Sequence, residues 1–179
     1  MNRAFDLIAV VCVAVVVLLP KASVDARPAV QADKVDASDA TRMAELEESL
    51  ARNAANEAVA MELAQLYLRT ERPDWALVTL SGFDAATASA RTWLLRATAH
   101  AERLEAALAV AATKSGLAVC NGHGCPSDVS ARLQLIAGPM QALLDENIDP
   151  KAEPQRAKEA VGKVLHSTRP GAVGTDGKK

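Results

Sequence analysis

Two segments of this chain, about thirty residues apart, carry the same pattern, and the pattern is that of a helical hairpin. The first is Leu63-Ala64-x-x-Tyr67 followed by Trp75-Ala76-Leu77-x-x-Leu80, and the second is Leu94-Leu95-x-x-Thr98 followed by Ala106-Ala107-Leu108. Apolar residues that recur at three- and four-residue steps draw a stripe along one face of a helix. Each segment therefore reads as one helix, a short break and a second helix whose alanine faces the first. A lone hairpin of this kind cannot bury its apolar faces, so such hairpins stack on their neighbours into an array whose exposed side holds another protein.

Composition agrees with helices. Half of the 179 residues are hydrophobic but only 3% are aromatic. A core of alanine and leucine suits closely packed helices, whereas strands favour β-branched and aromatic side chains. The expectation is an all-α fold: one modest domain plus tails. The net charge of -2 and the lack of a basic stripe beyond residue 40 leave nothing to neutralise phosphates, which argues against a nucleic-acid partner.

The N-terminus reads differently. Arg3 precedes an unbroken apolar run over residues 7–19, ended by Pro20, Lys21 and Asp25. Thirteen helical residues span about 20 Å, short of the roughly 30 Å hydrocarbon core. Residues 1–20 are thus expected to be a signal peptide or, with Ala4 and Phe5 lengthening the run, a signal anchor. Small-residue cleavage patterns follow at Val24-Asp25-Ala26 and Val30-Gln31-Ala32. Val11 precedes Cys12 where a lipoprotein signal wants a small residue, so lipid attachment is not expected there. The chain is accordingly expected to be extracytoplasmic, in a periplasm, and tied to the inner membrane if the segment is retained. Residues 21–37 read as a flexible linker. Ser38 or Asp39 then caps a helix with Met43, Leu46 and Leu50 on one face, ending near Arg52-Asn53.

The segment Leu50-Ala51-Arg52-Asn53-Ala54-Ala55-Asn56-Glu57-Ala58 resembles the junction between tetratricopeptide repeats, with alanine where that family's turn proline is expected. Leu63, Ala64 and Tyr67 stand at the spacing of its first helix, Ala76 and Leu80 at that of its second, and Thr70-Glu71-Arg72-Pro73-Asp74 supplies the break. In the second unit Glu102 to Leu108 resembles the turn and second helix, but Thr98 replaces an aromatic and Leu95 a small residue. Ala76 and Ala107 are 31 residues apart, short of the family's 34. The resemblance covers about 40–118. It implies a short helical-repeat solenoid whose first helices line a concave, partner-binding face. Residues four apart on those helices and off the core stripe are Met61, Gln65 and Arg69, then Thr92, Arg96 and His100, and these are the expected contacts to a protein or peptide. Trp75 and Trp93, beside the stripes, are read as packing residues.

Beyond the repeats, a helix over 104–118 is expected to yield to a Cys loop at 119–127, Cys120-Asn121-Gly122-His123-Gly124-Cys125-Pro126, and then to capping helices over 128–168. The first of these carries Val129, Leu133, Ile136, Met140, Leu143 and Leu144 and should be interrupted at Gly138-Pro139; the second should start at Pro154. Residues 169–179 read as a disordered tail. Cys120 and Cys125 can form a structural disulfide, as export favours, or with His123 a metal site or a redox pair. A structural zinc site needs four ligands and the loop offers three, so no metal and no other cofactor is expected. Glu45, Glu47 and Glu48 form a solvated helix face, and no phosphate loop or nucleophile elbow is present, so no catalytic residue is assigned and the chain is not read as an enzyme. The functional expectation is a membrane-associated scaffold that holds a protein segment; the alternative is an extracytoplasmic thiol or metal sensor centred on Cys120, His123 and Cys125.

Overall fold

A computed structural model describes residues 36–84 and 86–167. The apolar run, most of the linker and the tail fall outside them. The described residues form seven α-helices and no strand: α1 (Ala37–Arg52), α2 (Glu57–Arg69), α3 (Pro73–Leu80), α4 (Ala90–Glu102), α5 (Ala106–His123), α6 (Ser127–Asp145) and α7 (Pro154–Ser167). Local chemistry sets several of the starts. The side chains of Asp36, Asn56 and Ser89 accept from the backbone N–H groups of Ser38, Val59 and Thr92 at the heads of α1, α2 and α4. Pro73 occupies the first position of α3, where its missing N–H costs nothing. The cap of α1 is Asp36 rather than Ser38 or Asp39, so the helix begins inside the expected linker.

Each helix packs on the next, α2 also packs on α4, and α4 also packs on α6; among the described residues no other helices touch. The helices therefore form three successive pairs, α2/α3, α4/α5 and α6/α7, with α1 as a half unit in front. This is a helical bundle compatible with a repeat fold. Residues 128–168, expected as capping helices, form α6 and α7, which carry the stacking on.

The turn within each pair is the same. In the first, the Arg72 N–H donates to the Tyr67 carbonyl (2.8 Å) and the Glu71 N–H to that of Leu68 (3.0 Å). Glu105 and Leu104 do the same with His100 and Ala101 (2.9 and 3.0 Å), and Ile148 and Asn147 with Leu143 and Leu144 (2.8 and 3.0 Å). The middle residue is left-handed each time: Glu71 at φ 59°, Leu104 at φ 60° and Asn147 at φ 49°. This pair of bonds is the Schellman ending of a helix, which reverses the chain while satisfying two terminal carbonyls. Thirty-three residues separate Glu71 from Leu104, and 43 separate Leu104 from Asn147.

Small residues sit where helices approach most closely. Ala60, Ala64, Ala76, Ala97, Ala99 and Ala109 are wholly buried, and Leu63, Leu80, Leu133 and Leu143 fill the space between. On α5, a Cβ added to Gly116 would lie 2.9 Å from Leu133 Cδ1 and 3.0 Å from Trp93 Cβ, so glycine there lets α4, α5 and α6 converge. On α6, Gly138 does the same more loosely towards Val164 of α7, at 3.2 Å.

Four expectations are corrected. The helix expected to end at residue 118 runs to His123, so the Cys loop shrinks to 124–126. Val119 and Cys120 pack on the core, which outweighs the roughly 1 kcal/mol that Gly122 costs a helix. Secondly, α6 runs unbroken through Pro139, which is buried; tertiary packing overrides the lost hydrogen bond. Thirdly, Ala107 points to solvent and Ala106, Ala109 and Val110 point inward, because the Leu104 turn sets the phase of α5. Lastly, Trp75 is 59% exposed, although its ring lies 6.0 Å from that of Tyr67, whereas Trp93 packs on the core cluster.

Candidate functional site

Because α2, α4 and α6 lie side by side, their outer faces enclose a cleft of about 590 Å³. Leu68, Leu94, Leu95 and Val129 form an apolar floor, with Thr98 beside them. The rim is polar and mostly charged: Gln65 and Arg69 come from α2, Arg91 and Glu102 from the two ends of α4, and Asp128 and Arg132 from the first turns of α6. From Arg91 to Glu102 the helix rises about 16 Å, the length of about five extended residues.

The rim charges are unevenly matched. Arg69 donates to Asp39 of α1 at 2.6 Å. Arg91, Arg132 and Asp128 have no ion-pair partner among the described residues. Burial, with Glu71 nearby, raises the Glu102 carboxyl above its usual range. The cleft thus offers two unpaired guanidiniums and a carboxyl that gains from a cation or a donor.

The residues expected to bind divide sharply. Gln65 and Arg69 line the cleft. Met61 is half-buried and accepts from the Ser89 hydroxyl at 3.7 Å, outside the cleft. Thr92 is wholly buried and faces the core rather than solvent. Its hydroxyl donates to Glu57 Oε1 at 2.6 Å, and the Ser89 N–H donates to the same oxygen at 2.7 Å, so α2 holds the head of α4. Burial pushes the Glu57 carboxyl up, but those hydrogen bonds and the Arg96 guanidinium overcome it and hold it below the usual range. Arg96 donates to the Leu80 and Phe83 carbonyls and lies 4.6 Å over the Trp93 ring. His100 Nδ1 lies 2.7 Å from Glu105 Oε2 at the α4–α5 turn. Three expected contacts on α4 are therefore structural. Residues four apart on α4, expected off its core stripe, lie instead on its packed side, where Thr92 meets α2, Arg96 the end of α3 and His100 the α4–α5 turn.

The rest of the lining was not singled out from sequence as a binding surface. Arg91, Arg132 and Glu102 carry one available signal: a charged residue directly beside the apolar stripe of a first helix. Applied to α6, that signal required recognising it as a third first helix.

Cys120 and Cys125 are joined as a disulfide with Cα atoms 4.7 Å apart. Cys120 lies in the last turn of α5 and Cys125 two residues before α6, both half-buried against the cluster of Leu94, Ala97, Val129 and Leu133. Closing so short a loop contributes about 2 kcal/mol in the chain-entropy account. No helix among the described residues is long and apolar enough to cross a membrane.

Neither a family model, a curated protein nor a solved structure matches this chain.

Proposed function

We propose that this chain is a tetratricopeptide-repeat-like scaffold, exported and held near the membrane by its N-terminal segment, which binds an extended protein segment across α2, α4 and α6. The observation that carries the reading is the cleft itself, built from the first helices of three consecutive pairs and combining an apolar floor with unpaired charges. Such a surface matches a peptide that alternates apolar and polar side chains, because an extended chain turns successive side chains to opposite sides. The thrice-repeated turn supports the repeat reading, and the apolar run at 7–19 together with the disulfide supports an oxidising, extracytoplasmic location.

Site-specific photo-crosslinking of the full chain in its native membranes tests this. A photoreactive side chain at Gln65 should give a discrete protein adduct that Arg132→Glu weakens, whereas the same group at the exposed Glu159 of α7 should give none. Adducts of equal yield at both positions, or at neither, would overturn it.

A further inference from the structure

The head of α6 is unlike those of α1, α2 and α4. Pro126 stands at its cap position and no side chain accepts from its first N–H groups. An uncapped first turn frays unless something else holds it. What holds it here is Val129, buried in the core, and the Cys120–Cys125 bond immediately before it. The same turn carries Asp128 and Val129 into the cleft, with Arg132 one turn further on. Between the two cysteines, Asn121, Gly122 and Gly124 are exposed, and a Cβ added to Gly122 or to Gly124 would meet nothing within 4 Å. The disulfide is thus half-buried beneath a thin, exposed loop rather than sealed in the core.

We propose that the Cys120–Cys125 disulfide is a redox-sensitive latch that sets the third wall of the cleft, ordered when oxidised and frayed when reduced. The reductant is a dithiol. Its thiolate attacks one sulfur to give a mixed disulfide, and its second thiol displaces that bond. Two electrons and two protons pass to Cys120 and Cys125, and the dithiol leaves as a cyclic disulfide. The effect is local because the loop closed is short, while α2 and the head of α4 are held by caps and by Glu57 instead. Its consequence for binding rests on the cleft being the partner site; the structural change does not.

The test is hydrogen–deuterium exchange on the full chain, oxidised and after dithiothreitol. Amide exchange over 127–132 should rise on the order of tenfold on reduction, with 57–69 unchanged. Cys120→Ser with Cys125→Ser should give the reduced pattern with no further response to dithiothreitol, and wild-type reduction alone decides the matter if that variant does not fold. Unchanged exchange over 127–132, or an equal rise in every helix, would overturn the latch. Crosslinking from Gln65 is read in parallel: a yield that falls on reduction supports gating, and an unchanged yield beside a frayed α6 overturns it. Absence of any adduct in the oxidised protein would count against the binding reading alone and leave the exchange result standing.

Discussion

The front and the back of this molecule stack helices the same way but hold them by different chemistry. From α1 to α4 the joints are polar. Arg42 pairs with Glu62 at 2.7 Å, Arg69 with Asp39, Tyr67 donates to Glu47, Glu57 receives Ser89 and Thr92, Arg96 reaches back to the end of α3, and Arg103 pairs with Asp74. In α6 and α7, among the described residues, side-chain hydrogen bonds and ion pairs stay within one helix or its adjoining turn. There the joints are close approaches at Gly116 and Gly138, apolar burial and one disulfide. Pairs can thus share a turn and a pattern of neighbours while the front is joined by charge and hydrogen bonding and the back by shape and a disulfide.

The strongest test of that contrast is a cavity in the back. Leu133→Ala removes a wholly buried side chain and should cost about 2–5 kcal/mol in denaturant unfolding. Because Leu133 is also what an added Gly116 side chain would strike, the double variant with Gly116→Ala should cost less than the sum of the two singles. Strict additivity would mean that shape is not what holds the back.

Next in size is the polar joint. Glu57→Gln removes the charge that Ser89 and Thr92 satisfy and should cost about 1.5–3 kcal/mol at pH 7. A carboxyl held below its ordinary value contributes stability above that value, 4.5, and loses it as pH falls through the lower folded value. The gap between wild type and variant should therefore narrow below about pH 4.5. A gap that is constant with pH would remove the electrostatic part of the contrast.

Two glycines sharpen the volume argument. Gly116→Ala gains about 1 kcal/mol of helix propensity but meets Trp93 Cβ and Leu133, and should be net destabilising by about 1 kcal/mol. Gly162→Ala on α7 meets nothing within 4 Å and should stabilise by up to about 1 kcal/mol. The smallest effect belongs to the turn that both halves share. Leu104→Gly relieves a left-handed leucine that is 43% exposed, and should raise stability by about 0.5 kcal/mol.

Period and composition made the all-α fold, the first two pairs and the disulfide legible. Ala64, Ala76, Leu63 and Tyr67 are buried as their stripe requires. The third pair was hidden because α5 has 18 residues where α3 has 8 and α6 has 19 where α4 has 13, which even with a shorter link between them stretches the interval to 43 residues and breaks the period. Asn147, an αL-tolerant residue at the break before Pro150, is the trace it left. The inward turn of Thr92 was not legible because its partner, Glu57, lies 35 residues away, and no local pattern encodes that pairing. The cleft suffered for the same reasons: one wall came from the hidden pair, and all three expected contacts on α4 were engaged elsewhere.

That, among the described residues, no helix touches another more than two places along the sequence has a consequence in time. Native contacts are short in sequence, so the search for them closes only small loops, and chains of this kind reach the folded state quickly. Each Schellman turn can start its own pair. The same locality sets where the molecule comes apart. Among the described helices α1 rests on α2 alone and α7 on α6 alone, so these two share the least packing with the rest, while α4, with four neighbouring helices, shares the most and is the one whose exposure requires most of the stack to open.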